Sequence, residues 1–208
     1  MAQPALIIFA KQPIPGQVKT RLLPDYTAAQ AAEIAALFVR ETVELAAAHW
    51  PGPLYLYGAP TADAPLFHEL ARRVELVLAD QGAGDLGARM RRALEAAIAR
   101  HGAAAILGCD VPHCDGAILD EANALLAGGA NVLGPSEDGG YYLIGLTRPA
   151  KELFVQMPWG GARVLAATLE RARALGIEFA LLRMLRDIDT AADLRLVAQQ
   201  HASLRRFA

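Results

Sequence analysis

Cysteine is scarce: the 208 residues include only Cys109 and Cys114. Their C-x4-C spacing is not a usual zinc pair, and two thiols are too few for a disulfide framework. They read as a small buried residue and a loop thiol of a reducing compartment. Long apolar runs are missing as well. No stretch approaches the ~18 residues that a membrane-spanning helix needs. The first residues lack the charged segment and apolar core of a secretory signal. The expectation is a cytoplasmic protein with no membrane span. An excess of charge is also lacking, since 20 Lys and Arg face 22 Asp and Glu for a formal net charge of −2. That excludes the broad basic field on which non-specific nucleic-acid binding relies, so no nucleic-acid partner is expected. Linkers, repeats and low-complexity segments are absent, and residues 1–208 read as one domain with room for a sizeable core.

What is present is alternation. The apolar runs 5–10, 54–57, 74–78, 104–108, 131–134, 141–146 and 179–183 read as strands, most of them apolar on both faces. Helical patterns lie between them at 28–49, 86–101, 116–127 and 161–175. Thr190 opens a further one, with an acid three residues on as in a capping box. Strands alternating with helices predict a single-domain α/β fold with a largely parallel sheet. Such sheets bind ligands at the carboxyl ends of their strands, which directs attention to the loops there.

The first loop is "FAKQPIPGQVKTRLLP", residues 9–24. Pro13 and Pro15 stiffen it and Gly16 allows a tight turn or a close backbone approach. Lys11, Lys19 and Arg21 put positive charge beside free backbone N–H groups, which suits phosphates. It is not a Walker loop, since G-x-x-x-x-G-K-[ST] is absent. The second loop, "QGAGDLGARM" (81–90), offers glycines, Gly87 among them, that would let a flat ligand approach the backbone. Gln81 there carries the donors and acceptor to read a base edge. In "ILGCDVPHCD" (106–115) a strand runs into Asp110, where a carboxylate is well placed for a divalent cation. "GPSEDGGYYLIGL" (134–146) brings Glu137 and Asp138 to the same edge, although its DGG also suits a plain hairpin turn. In "RDIDTAADL" (186–194), Asp187 and Asp189 alternate and would grip Mg²⁺ or Mn²⁺ from one side of an extended segment. The alternative is that Asp187 pairs with Arg183 or Arg186 and Asp189 caps the following helix.

These segments, with "PWGGARVLAATL" (158–169), occur in an order that resembles a glycosyltransferase-A-like bacterial family long catalogued as a domain of unknown function. Some of its members are named arsenosugar-biosynthesis-type glycosyltransferases. The resemblance covers about residues 4–198 and implies the nucleotide-diphospho-sugar transferase superfamily, with a single-domain Rossmann-like GT-A-type fold whose mixed, mostly parallel sheet is flanked by helices. It implies that Asp110 takes the metal position at the end of the fourth strand, with Asp189 and its neighbour Asp187 as a second contact. Lys19 and Arg21 match phosphate-binding positions, while Asp138, Gly139, Gly140 and Trp159 match the acceptor or sugar side. The chain departs from the pattern in three places. A proline-rich loop replaces the superfamily's glycine-rich one, D-V-P replaces D-x-D, and Gly161 stands where family members often carry threonine.

Three functions compete at this level. The first is glycosyl transfer from a nucleoside diphosphate sugar to a small-molecule acceptor. Asp110 and Asp189 would hold Mg²⁺ or Mn²⁺, Lys19 would assist the leaving diphosphate, and Asp138 would position or deprotonate the acceptor. The second is nucleotidyl transfer from a nucleoside triphosphate to a phosphorylated small molecule, releasing pyrophosphate, as in phospholactate guanylyltransferase relatives. The third is nucleotide binding without turnover. Base, sugar, acceptor and oligomeric state are not legible in the sequence.

Overall fold

The computed structural model describes residues 3–208. Seven strands form one sheet: β1 (Ala5–Lys11), β2 (Leu54–Ala59), β3 (Leu76–Asp80), β4 (Ala104–Gly108), β5 (Asn131–Pro135), β6 (Tyr141–Leu146) and β7 (Phe179–Leu181). Their order is β3-β2-β1-β4-β6-β5-β7. β6 alone runs against the rest, pairing antiparallel with both β4 and β5. The other pairings are parallel. The expected mixed, mostly parallel sheet is therefore present.

Among the described residues six α-helices cover it: α1 (Ala28–His49), α2 (Pro65–Arg73), α3 (Leu86–His101), α4 (Gly116–Ala127), α5 (Val164–Ala174) and α6 (Ala191–Ala198). The period-2 rule explains how both faces are filled. Leu6, Ile8 and Ala10 of β1 pack with α1, α2, α4 and α6. Ala5 and Ile7 point to the other face, against Met90, Leu94 and Ile98 of α3. Side-chain caps set the starts of α1, α3, α4 and α6. Thr27 forms a capping box with Gln30, Asp85 and Asp115 cap α3 and α4, and Thr190 forms a second box with Asp193. Each such cap is worth about 1 kcal/mol.

The expected bounds of α1, α3 and α4 agree with the structure, whereas α2 has no counterpart in the sequence reading. Asp189 does not cap α6, because Thr190 does. Arg183 pairs with Asp115 at 2.6 Å, and Arg186 pairs with Glu137 and Asp193, so neither arginine engages Asp187. Both cysteines are buried and free, and burial pushes each thiol up to about 12, so neither is a reactive thiolate. Among the described residues no helix is long and apolar enough to cross a membrane.

The topology positions the site. From β1 the chain moves outward through β2 and β3, then returns to β4 on the other side of β1. A crevice opens at the carboxyl ends of β1 and β4, where the direction of winding reverses.

Candidate active site

A cleft of about 500 Å³ lies at that crevice, lined by residues from several of the loops that the sequence singles out. Lys11, Lys19, Arg21, Gln81, Asp110 and Asp189 all line it. Phe9, Leu86, Met90, Tyr141 and Ile144 supply much of its apolar wall.

The basic loop after β1 turns inward. Val18 is buried against Ala32 and Ala35 of α1, which pins the loop to that helix. Lys19 then adopts a left-handed backbone, φ 46° and ψ 40°, a strained conformation for a residue with a Cβ. The turn drives its side chain down to 8% exposure. Its Nζ lies 2.5 Å from Asp110 Oδ1 and 3.5 Å from Asp189 Oδ1, and donates to the Ile188 carbonyl at 2.7 Å. The aliphatic stem passes near Phe38, whose ring centroid is 5.3 Å from Nζ. Burial alone would favour a neutral amine, but the carboxylates of Asp110, Asp189 and Asp187 together outweigh it, and the Lys19 pKa lies above its ordinary value. Arg21 makes the outer contact, its Nη1 3.0 Å from Asp189 Oδ2. The segment before α6 reaches the site because the Ile188 N–H donates to the Asp110 carbonyl at 2.9 Å.

Asp187 sits behind this pair. Its Oδ1 accepts a hydrogen bond from Ser136 Oγ at 3.2 Å. Burial, then the charges of Asp138 and Asp110, push its carboxyl up to about 7. Asp187 and Asp189 thus serve different partners, one on Ser136 and the other on Lys19 and Arg21. Ser136, buried on the β5–β6 hairpin, is a residue that sequence reasoning missed. Nothing in its local pattern distinguishes it from any turn serine.

Gln81 is buried and its carboxamide orientation is determined by its surroundings. Nε2 donates to the Ala10 carbonyl at 3.1 Å and to the Tyr57 carbonyl at 2.9 Å. With both amide hydrogens in use, only Oε1 can act on a ligand, as an acceptor.

The remaining sequence candidates lie around the cleft rather than on its wall. Gly16, at φ +80°, has open space where a Cβ would go. Gly87 is matched to protein, not to open cleft. A Cβ there would meet Trp159 Nε1 and the Phe154 carbonyl, each at 2.6 Å. Trp159 stacks on Phe154 and meets Tyr141 edge-on. Asp138 Oδ1 accepts from the Gly140 N–H at 2.9 Å, and the Gly139 N–H donates to the Ser136 carbonyl. The DGG segment is therefore the hairpin turn between β5 and β6, with Gly139 at φ +87° against Ala162.

Asp110 and Asp189 converge on one cationic point, the Lys19 ammonium. Among the described residues no three carboxylate, imidazole or thiol groups are gathered to hold a metal unaided. Mg²⁺ is commonly bound by one or two carboxylates, with substrate phosphates and water completing the shell. The donors present fit an ion of that kind, shared between protein and phosphate.

The sheet order, with a cleft at its switch point, is that of a nucleotide-diphospho-sugar transferase-like fold. The comparisons agree. A candidate nucleotide-diphospho-sugar transferase from Desulfovibrio desulfuricans G20 superimposes with a TM-score of 0.86 at 29% identity, covering 99% of this chain and 91% of that one. The manganese complex of Rv0371C from Mycobacterium tuberculosis H37Rv is similar at a TM-score of 0.54 and 16% identity, covering 96% of this chain and 100% of that one. The inositol-1-phosphate CTP transferase from T. maritima gives 0.58 and 14%, with coverage of 99% and 97%. No curated protein matches the sequence. The chain belongs to the family described as uncharacterized protein conserved in bacteria (DUF2064), whose model matches residues 42–161. That span includes Asp110 and the β5–β6 hairpin. The basic loop and Asp189 fall outside it.

Proposed function

We propose that the chain is a metal-dependent transferase acting on a nucleotide-activated donor, with glycosyl transfer from a nucleoside diphosphate sugar as the leading reaction. One observation carries this reading: Asp110 and Asp189 converge on a single cation in a cleft also lined by Lys11 and Arg21. Carboxylates focused on one point, bordered by basic side chains, match a diphosphate bridged to protein by a divalent ion. Bound there, Mg²⁺ or Mn²⁺ would neutralise charge on the departing diphosphate. Lys11 and Arg21 would orient the phosphates, and Lys19 would add its positive charge to them. Gln81 Oε1 would accept from a base N–H. The apolar wall would exclude water from the reacting centre. Asp138, whose charge is felt at Asp187, would orient the acceptor hydroxyl or take its proton from the hairpin side. Trp159 and the Gly139–Gly140 turn would border the acceptor.

A second reading, nucleotidyl transfer, is favoured by a specific observation. Lys11, Lys19 and Arg21, from the end of β1 and the loop after it, line the one cleft, and three basic side chains suit a triphosphate. The CTP transferase of T. maritima shares the fold, which makes a phosphorylated acceptor a natural second substrate.

A thermal-shift panel of nucleoside triphosphates, diphosphates and diphosphate sugars, each with Mg²⁺ or Mn²⁺, separates the readings. Ligand at 100 times its dissociation constant should stabilise the fold by about 2.7 kcal/mol. Shifts confined to one diphosphate and its sugars support glycosyl transfer. Preference for one triphosphate supports nucleotidyl transfer. No shift with any ligand overturns both.

A further inference from the structure

We propose that Lys19 is the resident cation of the carboxylate site: it holds Asp110 and Asp189 in the nucleotide-free protein and keeps divalent ions out until a nucleotide's phosphates draw the ammonium away. The inference rests on reading the cleft as the site of a metal-bound nucleotide.

Three observations carry it. The ammonium occupies the point on which both carboxylates converge, 2.5 Å from Asp110 and 3.5 Å from Asp189. A divalent ion held by the same two oxygens would need that position, and two cations cannot share it at such range. Three acceptors surround the ammonium: Asp110 in the ion pair, Asp189 at 3.5 Å and the Ile188 carbonyl at 2.7 Å. Lys19 is thus lodged in the site and not sampling solvent. Finally, the lodging is held by a backbone under strain. The left-handed conformation at φ 46° is unfavourable for a residue with a Cβ, and the pairing offsets that local cost.

The donor set also explains why a separate guard is useful. With only two carboxylates and a third, Asp187, turned to Ser136, the protein supplies an incomplete shell. A nucleotide would bring the missing oxygens and a new anionic partner for Lys19 together. Metal and nucleotide would then bind with positive coupling, each favouring the arrangement that admits the other.

Mn²⁺ alone is the probe, followed by the loss of its free-ion electron paramagnetic resonance signal as full-length protein is titrated in. Lys19→Met removes the charge and keeps the stem. Lys19→Gly removes it and also suits the left-handed backbone, so it guards against a variant that misfolds. Both should bind Mn²⁺ at least roughly tenfold more tightly than the parent chain, since one unit of opposing charge has gone. Adding Asp110→Asn to either should abolish the gain. Mn²⁺ should also raise the melting temperature of the two single variants more than that of the parent. Lys19 variants that bind Mn²⁺ no more tightly than the parent would overturn the inference, as would a gain that survives Asp110→Asn. The nucleotide panel fails independently: an absence of nucleotide shifts would refute the proposed function while the Lys19 result still stood on the metal alone.

Discussion

Lys19 Nζ stands 2.5 Å from Asp110 Oδ1, and the two partners differ sharply in exposure, 8% for the lysine side chain against 58% for the aspartate. The buried member therefore depends on the open one. Asp110→Ala leaves the ammonium with a more distant carboxylate and one carbonyl. The expected cost is about 1–3 kcal/mol, below the figure for a fully buried pair because water can reach the vacated position. The fold should survive, and metal-dependent nucleotide binding should not. A calorimetric titration with and without Mg²⁺ reads this directly. An unchanged Mg²⁺ dependence would remove Asp110 from the proposed site.

Asp187 supplies a pH dependence. In the folded, metal-free protein its carboxyl holds a proton up to about pH 7, whereas an ordinary aspartate releases it near 3.8. Between those values the native state binds more protons than the unfolded one, so stability falls as pH rises and levels off above about 7. The contribution is on the order of a few kcal/mol at most, because neighbouring carboxylates share the effect. Asp187→Asn, which has no proton to lose, should flatten the decline in melting temperature between pH 4 and 7. An equal slope in both proteins, with chelator present, would show that Asp187 is ionised throughout.

How much of this was legible beforehand depends on what carries each feature. Seven apolar runs predict seven strands, because a sheet covered on both faces leaves a two-sided signature. Helix α1 and helix α3 match their expected bounds, which follow the period of their apolar residues, and the structure adds Thr27 and Asp85 as their caps. Helix α2 escaped, being a nine-residue segment that buries only Leu66, Phe67 and Leu70. Lys11, Lys19, Arg21, Gln81, Asp110 and Asp189 were all identified from loop position, and one cleft gathers them. Their pairing was not legible. The loop was expected to meet phosphates, and its central lysine also meets Asp110 and Asp189. That outcome depends on Val18 anchoring the turn to α1 and on a left-handed backbone at Lys19, neither of which has a local sequence signal.

Two glycines that look alike in the sequence should respond differently to substitution. Gly139→Ala must move the Ala162 carbonyl as well as tolerate φ +87°, and should cost at least about 2 kcal/mol. Gly16→Ala faces only the backbone cost at φ +80°, roughly 1 kcal/mol, since a methyl there meets nothing within 4 Å. Denaturant unfolding of the two variants gives the comparison. Equal losses would mean that the β5–β6 turn relaxes around the added methyl.

Gly87→Ala tests whether this glycine serves packing or ligand approach. The added methyl would press on Trp159 Nε1 and the Phe154 carbonyl, and the carbonyl belongs to backbone that cannot swing aside. The expected loss is about 1–3 kcal/mol, with a change in the tryptophan near-ultraviolet signal as the indole shifts. A ligand-approach role would instead leave stability intact and weaken nucleotide binding.

Gln81 joins structure and recognition in one side chain, so its variants must be read on both scales. Gln81→Leu keeps the volume but leaves the Ala10 and Tyr57 carbonyls without their donor, at a cost of about 1–3 kcal/mol for buried acceptors. In a domain of this size that lowers the melting temperature by roughly 2–4 °C per kcal/mol. If Oε1 also accepts from a base, the same variant should lose affinity for nucleotide while keeping affinity for inorganic pyrophosphate, which has no base to read. Calorimetric titration with both ligands, each with Mg²⁺, separates the two roles. A parallel loss for nucleotide and pyrophosphate would mean that the variant distorts the cleft as a whole. A lower melting temperature with unchanged affinity for both would confine Gln81 to tying the ends of β1 and β2 together.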